Sequence, residues 1–174
     1  MAEVPVEIDL SRHRDLEGRR WHAWVPRVLL AVIAALLVAA LFNVFGQRPT
    51  TSRAADSAAI LSVYSPDRVR GGLLYTARFH VTARKDLRKA SLVLDPGWVE
   101  GMQINSINPQ PVSEASQNGK IYLDLGHIPA GQSAIYFIEF QVNPTNVGHR
   151  SQDVRLDDTG RRLLTIERTI TIYP

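Results

Sequence analysis

Residues 75–84 read YTARFHVTAR, and their strict alternation of apolar and polar side chains decides the fold class. Successive side chains of a β-strand point to opposite faces, so this pattern predicts a strand with one buried and one wet face. Residues 121–125 and 164–172 alternate in the same way, and turn-forming pairs such as Asn118-Gly119 separate the candidate strands. The chain beyond residue 55 therefore predicts an all-β, antiparallel β-sandwich.

Residues 133–142, SAIYFIEFQV, are an exception because both faces of this predicted strand are apolar. Alternate residues are expected to face the core, namely Tyr136, Ile138, Phe140 and Val142. Ile135 and Phe137 then emerge on the opposite face of the sheet. An exposed apolar pair is a candidate contact with a partner protein, although cover by long neighbouring side chains is an equally simple explanation.

Three segments resemble parts of known proteins. Residues 125–133, LGHIPAGQS, precede the long strand in a way that resembles a recurrent element of bacterial surface immunoglobulin-like modules. Residues 95–98 (DPGW) and 140–148 (FQVNPTNVG) are similar to segments of uncharacterised actinobacterial single-pass membrane proteins. These resemblances imply an immunoglobulin-like sandwich outside a membrane anchor, and they carry no activity to transfer.

The anchor is expected at residues 28–45, VLLAVIAALLVAALFNVF, which contain no charge and a single polar residue, Asn43. A helix of this length extends about 27 Å, close to the hydrocarbon thickness of a bilayer. Five arginines precede the segment and two follow it closely, so the positive-inside bias predicts a cytoplasmic N-terminus. The expected organisation is a cytoplasmic tail (1–27), a transmembrane helix (28–45), a linker (46–55) and an extracytoplasmic domain (56–174).

A cleaved signal peptide is the alternative to an anchor, since secretory signals also combine arginines with an apolar segment. Here the segment before the span is long and carries five acidic residues, and no Ala-x-Ala motif follows Phe45 closely. Both features favour an uncleaved single-pass protein.

The composition excludes several classes of site. The sequence has no cysteine, which excludes disulfide bonds, thiolate metal sites and thiol nucleophiles. Residues 56–174 hold 13 basic and 12 acidic residues, so no nucleic acid partner is expected. An exported domain without disulfides is typical of a bacterial envelope, and we expect the protein in the cell (inner) membrane, with the bilayer and an envelope protein as its partners.

A small-residue seam is a candidate feature of the span. Ala31, Ala35, Ala39 and Asn43 recur every four residues and would share one helix face. Small residues at this spacing permit close helix packing, and an amide can hydrogen-bond across the contact. The simpler alternative is that alanine is common in spanning helices.

Trp98 and Glu100 are a candidate glycan contact, because an indole can stack on a sugar ring and a carboxylate can accept hydrogen bonds from its hydroxyls. The alternative for Trp98 is a tryptophan that caps the core from a loop. Calcium binding near Asp157, with Asp153 and Asp158, is a further possibility, although aspartates are also common turn residues.

No motif for a serine nucleophile, a phosphate-binding glycine loop or a zinc protease occurs in the sequence. We therefore expect no catalytic residue, cofactor or resident metal. The sequence favours a membrane-anchored extracytoplasmic binding or scaffold module, an accessory subunit that contacts another envelope protein. A cell-wall or glycan-binding module is the alternative function, and an enzyme is the least favoured.

A reporter that is active only outside the cytoplasm, fused after Pro174, is expected to be active and membrane-bound. The reason is that the arginine distribution and the missing cleavage motif both favour an uncleaved anchor with an outer C-terminus. Alkaline phosphatase activity after membrane fractionation is the measurement. An inactive fusion would reverse the topology, and an active soluble product would show that the span is removed.

Overall fold

The computed structural model describes residues 24–44 and 46–174. The first 23 residues of the expected tail and Phe45 at the end of the expected span lie outside the described residues. The chain divides into two compact units at Val44, an N-terminal helical unit and a C-terminal β domain.

The apolar helix α1 comprises Trp24–Leu41, with a mean hydropathy of 2.3. It begins and ends four residues before the span predicted at residues 28–45. Pro26 fits in its first turn, where an N–H has no helical acceptor. By length and composition, helix α1 can cross a membrane.

Helix α1 ends in a Schellman motif. The Val44 amide donates to the Ala39 carbonyl oxygen at 3.1 Å, and the Asn43 amide donates to the Ala40 carbonyl oxygen at 2.9 Å. Asn43 takes the left-handed conformation that this motif requires, with φ of 53°. Asn43 therefore terminates the helix and does not extend the predicted seam, which is reduced to the three alanines at positions 31, 35 and 39.

The described residues after the helix form thirteen strands and one 3₁₀ turn, Pro96–Trp98. The strands are β1 (Pro49–Ala55), β2 (Ala59–Pro66), β3 (Arg68–Arg70), β4 (Leu74–Ala83), β5 (Leu87–Leu94), β6 (Met102–Asn108), β7 (Ser113–Gln117), β8 (Lys120–Ile128), β9 (Ser133–Val142), β10 (Gly148–Ser151), β11 (Val154–Asp158), β12 (Arg161–Ile166) and β13 (Thr169–Tyr173).

These strands form an immunoglobulin-like β-sandwich, as predicted. Sheet I has the strand order β1-β2-β4-β9-β6, and sheet II has the order β12-β11-β5-β8-β7. A small third sheet, β10-β13-β3, contains the parallel pair β13–β3, whereas the other pairs are antiparallel. The predicted phases of β4 and β9 are confirmed, because their core-facing residues are buried: Tyr75, Ala77, Phe79, Val81 and Ala83, with Tyr136, Ile138, Phe140 and Val142.

The expected linker at residues 46–55 is largely a strand. Strand β1 pairs with β2 along its whole length, from Pro49 opposite Pro66 to Ala55 opposite Ile60. Half-buried and exposed positions alternate along β1. Its sequence, PTTSRAA, has no large apolar residue, so this alternation cannot be recognised from the hydropathy of the sequence. The β domain therefore begins with β1 and not at residue 56.

A buried arginine holds β1 in place. Arg168 lies between β12 and β13 and is only 8% exposed. Its Nη1 donates to Ser52 Oγ at 2.7 Å on β1, and its Nη2 donates to the Ser65 carbonyl oxygen at 2.8 Å on β2. Burial lowers the pKa of the Arg168 guanidinium, and the nearby Asp67 carboxylate opposes this shift. One guanidinium thus joins the first two strands to the connection between the last two strands.

Replacing Arg168 with lysine is expected to lower the free energy of unfolding by about 2 kcal/mol, because one ammonium cannot bond both strands with the same geometry. Denaturant unfolding of the β domain, followed by far-UV circular dichroism, measures this. Arg162→Lys on an exposed part of β12 is the matched control and should change stability by less than about 0.5 kcal/mol. Equal stability of both variants would show that Arg168 does not fasten β1.

Candidate functional site

The candidate partner contact lies on the outer face of sheet I, away from its β1 edge. Ile135 and Phe137 are 41% and 43% exposed and point away from the core. Their strand, β9, lies between β4 and β6, so the pair is away from the strand at the edge of the sheet. The outward orientation is confirmed, and the role in partner binding stays a prediction.

Aromatic and basic side chains surround this pair. Arg78 on β4 lies opposite Phe137, and Tyr64 on β2 lies opposite Arg78. The Arg78 guanidinium carbon is 5.1 Å from the centre of the Tyr64 ring, a cation–π contact that holds both side chains along the sheet. His80 lies opposite Ile135. These five residues form a continuous surface, which we call the β9 face.

The charge of the β9 face is mainly basic. Arg53 on β1 lies in the same outward set of positions as His80, and Arg78 is at its centre. The carboxylate of Glu139, on the same outward side of β9, accepts a hydrogen bond from Ser106 Oγ at 3.3 Å. The surface therefore combines an apolar centre with cationic neighbours, which suits a partner carrying an apolar group beside acidic groups.

The predicted glycan contact at Trp98 was wrong, because this side chain is completely buried. The centres of the Phe79 and Phe140 rings lie 5.3 and 5.2 Å from that of Trp98, and its Nε1 donates to the Asp153 carbonyl oxygen at 3.2 Å. Such a ring has no face left for a sugar. Trp98 instead fills the core from its 3₁₀ turn, which was the alternative interpretation.

A close backbone approach explains the burial of Trp98. A Cβ on Gly97 would lie 1.8 Å from the Ser151 carbonyl oxygen, so only glycine fits against β10 here. This contact places the 3₁₀ turn directly on the sandwich. Glu100 is exposed after the turn, and its backbone carbonyl accepts a hydrogen bond from Asn146 Nδ2 at 3.2 Å. Without an accessible indole, Glu100 alone does not make a glycan site.

The three aspartates considered for calcium are engaged separately. Asp153 Oδ1 accepts the Arg168 amide at 2.9 Å, and Asp158 Oδ1 accepts the Lys89 amide at 2.8 Å. Asp157 is paired with Arg155. In the part of the chain that the structure describes, no group of three or more His, Cys, Asp or Glu side chains is arranged to hold a metal ion.

Sequence reasoning found Ile135 and Phe137 but not their neighbours Tyr64 and Arg78. The alternation in residues 75–84 did place Arg78 on a wet face. What it could not supply was the pairing of β4 with β2, with which it shares no direct hairpin, and with β9, which lies far along the chain.

No protein family model matches the chain, and no curated protein matches it. Among solved structures, it is similar to AvmM, which catalyses macrocyclisation in alchivemycin A biosynthesis, with 7% identity over 74% of this chain and 96% of that chain and a TM-score of 0.47. A non-cellulosomal cohesin from the archaeon Archaeoglobus fulgidus has 12% identity over 60% and 84%, with a TM-score of 0.40. The chitin-binding domain of a Pyrococcus furiosus chitinase has 8% identity over 68% and 98%, with a TM-score of 0.36. Similarities this distant carry no argument about function.

Trp98→Ala is expected to lower the free energy of unfolding by about 3–5 kcal/mol, because it leaves a cavity between the two sheets. Thermal and urea unfolding measure the loss. Glu100→Gln, an exposed change in the same segment, should stay within about 0.5 kcal/mol of the parent. A Trp98→Ala protein of unchanged stability would contradict the buried position.

Proposed function

We propose that this protein is a membrane-anchored extracytoplasmic binding module, an accessory or scaffold subunit whose β9 face contacts another protein of the cell envelope. Helix α1 supplies the anchor, and the sandwich supplies the contact surface. The proposed role is binding and includes no chemical step. The orientation with the sandwich outside rests on the arginine distribution around the span.

The exposure of Ile135 and Phe137 carries the proposal. Ile135 and Phe137 keep 41% and 43% of their surface exposed to water, and a covering partner would bury this remaining apolar surface. Threonine and serine fill other outward positions on the same sheet, such as Thr76 and Ser62. The apolar pair therefore lies among mostly polar outward positions, with the 49% exposed Leu74 on β4 as a further apolar residue on this face.

The surrounding charges define the partner. Arg78 is held between Tyr64 and Phe137, so its guanidinium is already positioned beside the apolar pair. A partner that inserts an apolar side chain between Ile135 and Phe137 would bring a flanking carboxylate to Arg78. We propose the outer surface of a membrane protein with this apolar and acidic combination, because only residues 42–48 separate the anchor from β1.

Site-specific photo-cross-linking in intact cells tests the proposal. A photo-cross-linking amino acid in place of Phe137 should give a discrete adduct with a membrane protein, and the same probe at the exposed Val112 on another surface should not. Adding Arg78→Glu to the Phe137 probe should reduce the adduct at least tenfold, because it places like charges together. Arg88→Glu, an equally drastic change at an exposed position outside the β9 face, should leave it unchanged.

The anchor must be tested separately. Ala35→Leu blocks close packing of helix α1 without altering the β domain, so the Phe137 adduct should survive it. Loss of the adduct with Ala35→Leu but not with Arg78→Glu would make the helix the interaction element and overturn the proposal. Equal adducts from the Phe137 and Val112 probes would also overturn it.

A further inference from the structure

The outer face of sheet II carries a groove of about 590 Å³, a size typical of small-ligand sites. Strands β5, β7, β8 and β11 and the turn at residues 159–160 line it. It belongs to a different sheet from the β9 face. No residue that the sequence suggested as a partner or glycan contact lines it.

A buried valine lies between the two largest side chains that line the groove. Val93 points outward from β5 yet is almost completely buried. It lies opposite Arg155 on β11 and opposite Tyr122 on β8. These two larger side chains therefore flank and cover it, and they form the middle of the groove.

The open side of the groove results from small residues on β7. Ala115 lies opposite the half-buried Tyr122, and Ser113 lies opposite Asp124. All five residues of β7 are exposed. Side chains this short give little cover from the β7 side to the half-buried tyrosine or to the aspartate, whose side chain is 16% exposed.

Arg155 is positioned to donate hydrogen bonds. Its Nε lies 2.9 and 3.1 Å from the two carboxylate oxygens of Asp157, whose side chain is only 7% exposed. This pairing fixes the guanidinium through Nε. Among the described residues, the two terminal nitrogens of Arg155 have no hydrogen-bond or ion-pair partner. They remain available as a fixed pair of donors.

The remaining charges are balanced. Lys89 Nζ lies 3.7 Å from Asp124 Oδ2, a loose ion pair, while Asp124 Oδ1 accepts the Gly126 amide at 2.9 Å. Two basic and two acidic side chains line the groove, so it has no net charge to attract phosphate. The groove also contains none of the strongly exposed aliphatic side chains of the domain, which disfavours a large apolar partner.

We infer that this groove binds a neutral saccharide. Sugar hydroxyls both donate and accept hydrogen bonds, so they match the Arg155 donors and the Asp124 acceptor at the same time. The C–H face of a pyranose ring packs on the accessible side of Tyr122. This site is independent of the proposed protein contact, because it uses none of the residues of the β9 face.

Equilibrium binding to the full-length protein in phospholipid nanodiscs tests the inference. Nanodiscs are chosen because glycosidic detergents would present sugars themselves. Cellopentaose, maltopentaose, N-acetylchitopentaose and inorganic phosphate are titrated separately by calorimetry. At least one pentasaccharide should bind saturably, and phosphate should not.

Matched variants locate the site. Tyr122→Ala should weaken binding about tenfold, equivalent to about 1.4 kcal/mol. Ala115→Leu should abolish it by filling the open side, and because β7 is exposed, this change is compatible with folding. The control is Ser116→Leu on the other side of β7, which should bind like the parent. Absence of saturable binding by every pentasaccharide, binding insensitive to both groove variants, or competition by phosphate would each overturn the inference.

Discussion

The aromatic contacts between the sheets set the orientation of the candidate surface. Trp98 packs on Phe79 from β4 and on Phe140 from β9, with ring centres 5.3 and 5.2 Å apart. Because strand side chains alternate, the register that buries these rings also turns Arg78 and Phe137 outward. The β9 face is thus a geometric consequence of the core. A shift of one residue in either strand would exchange the core and the contact surface.

The two outer faces of the sandwich have different chemistry. The β9 face has apolar side chains next to the Arg78 guanidinium, a combination that gains from burial by a large complementary surface. The groove on sheet II has paired charges, one accessible aromatic ring and short side chains along its open strand. Such a surface gains little from apolar burial and more from directed hydrogen bonds. The two proposed sites therefore call for dissimilar ligands.

The fold class was predictable because period-two hydropathy is a local property of the chain. It identified β4 and β9 with correct faces, and therefore the exposure of Ile135 and Phe137. It failed for β1, whose small polar residues become a strand only through pairing with β2 and bonding to Arg168.

The wrong prediction for Trp98 has a similar cause. The burial of this ring depends on a contact between its turn and β10 that no local sequence pattern indicates. For Asn43 the four-residue spacing from Ala39 is correct, but the left-handed backbone of Asn43 ends the helix. The groove on sheet II needed the pairing of four strands and could not be derived from spacing.

The Arg168 contacts also bear on how the domain is made. Ser52 and Arg168 are 116 residues apart, so a hydrogen bond that holds the first strand of the sandwich comes from a side chain near the end of the domain. In the proposed topology the chain leaves the cytoplasm from its anchor onward, and β1 emerges long before Arg168. Strand β9, which carries the proposed contact surface, also emerges before Arg168. Assembly is therefore completed only after translocation of almost the entire chain, and a chain stalled during export would present an unfinished sheet I to envelope chaperones and proteases.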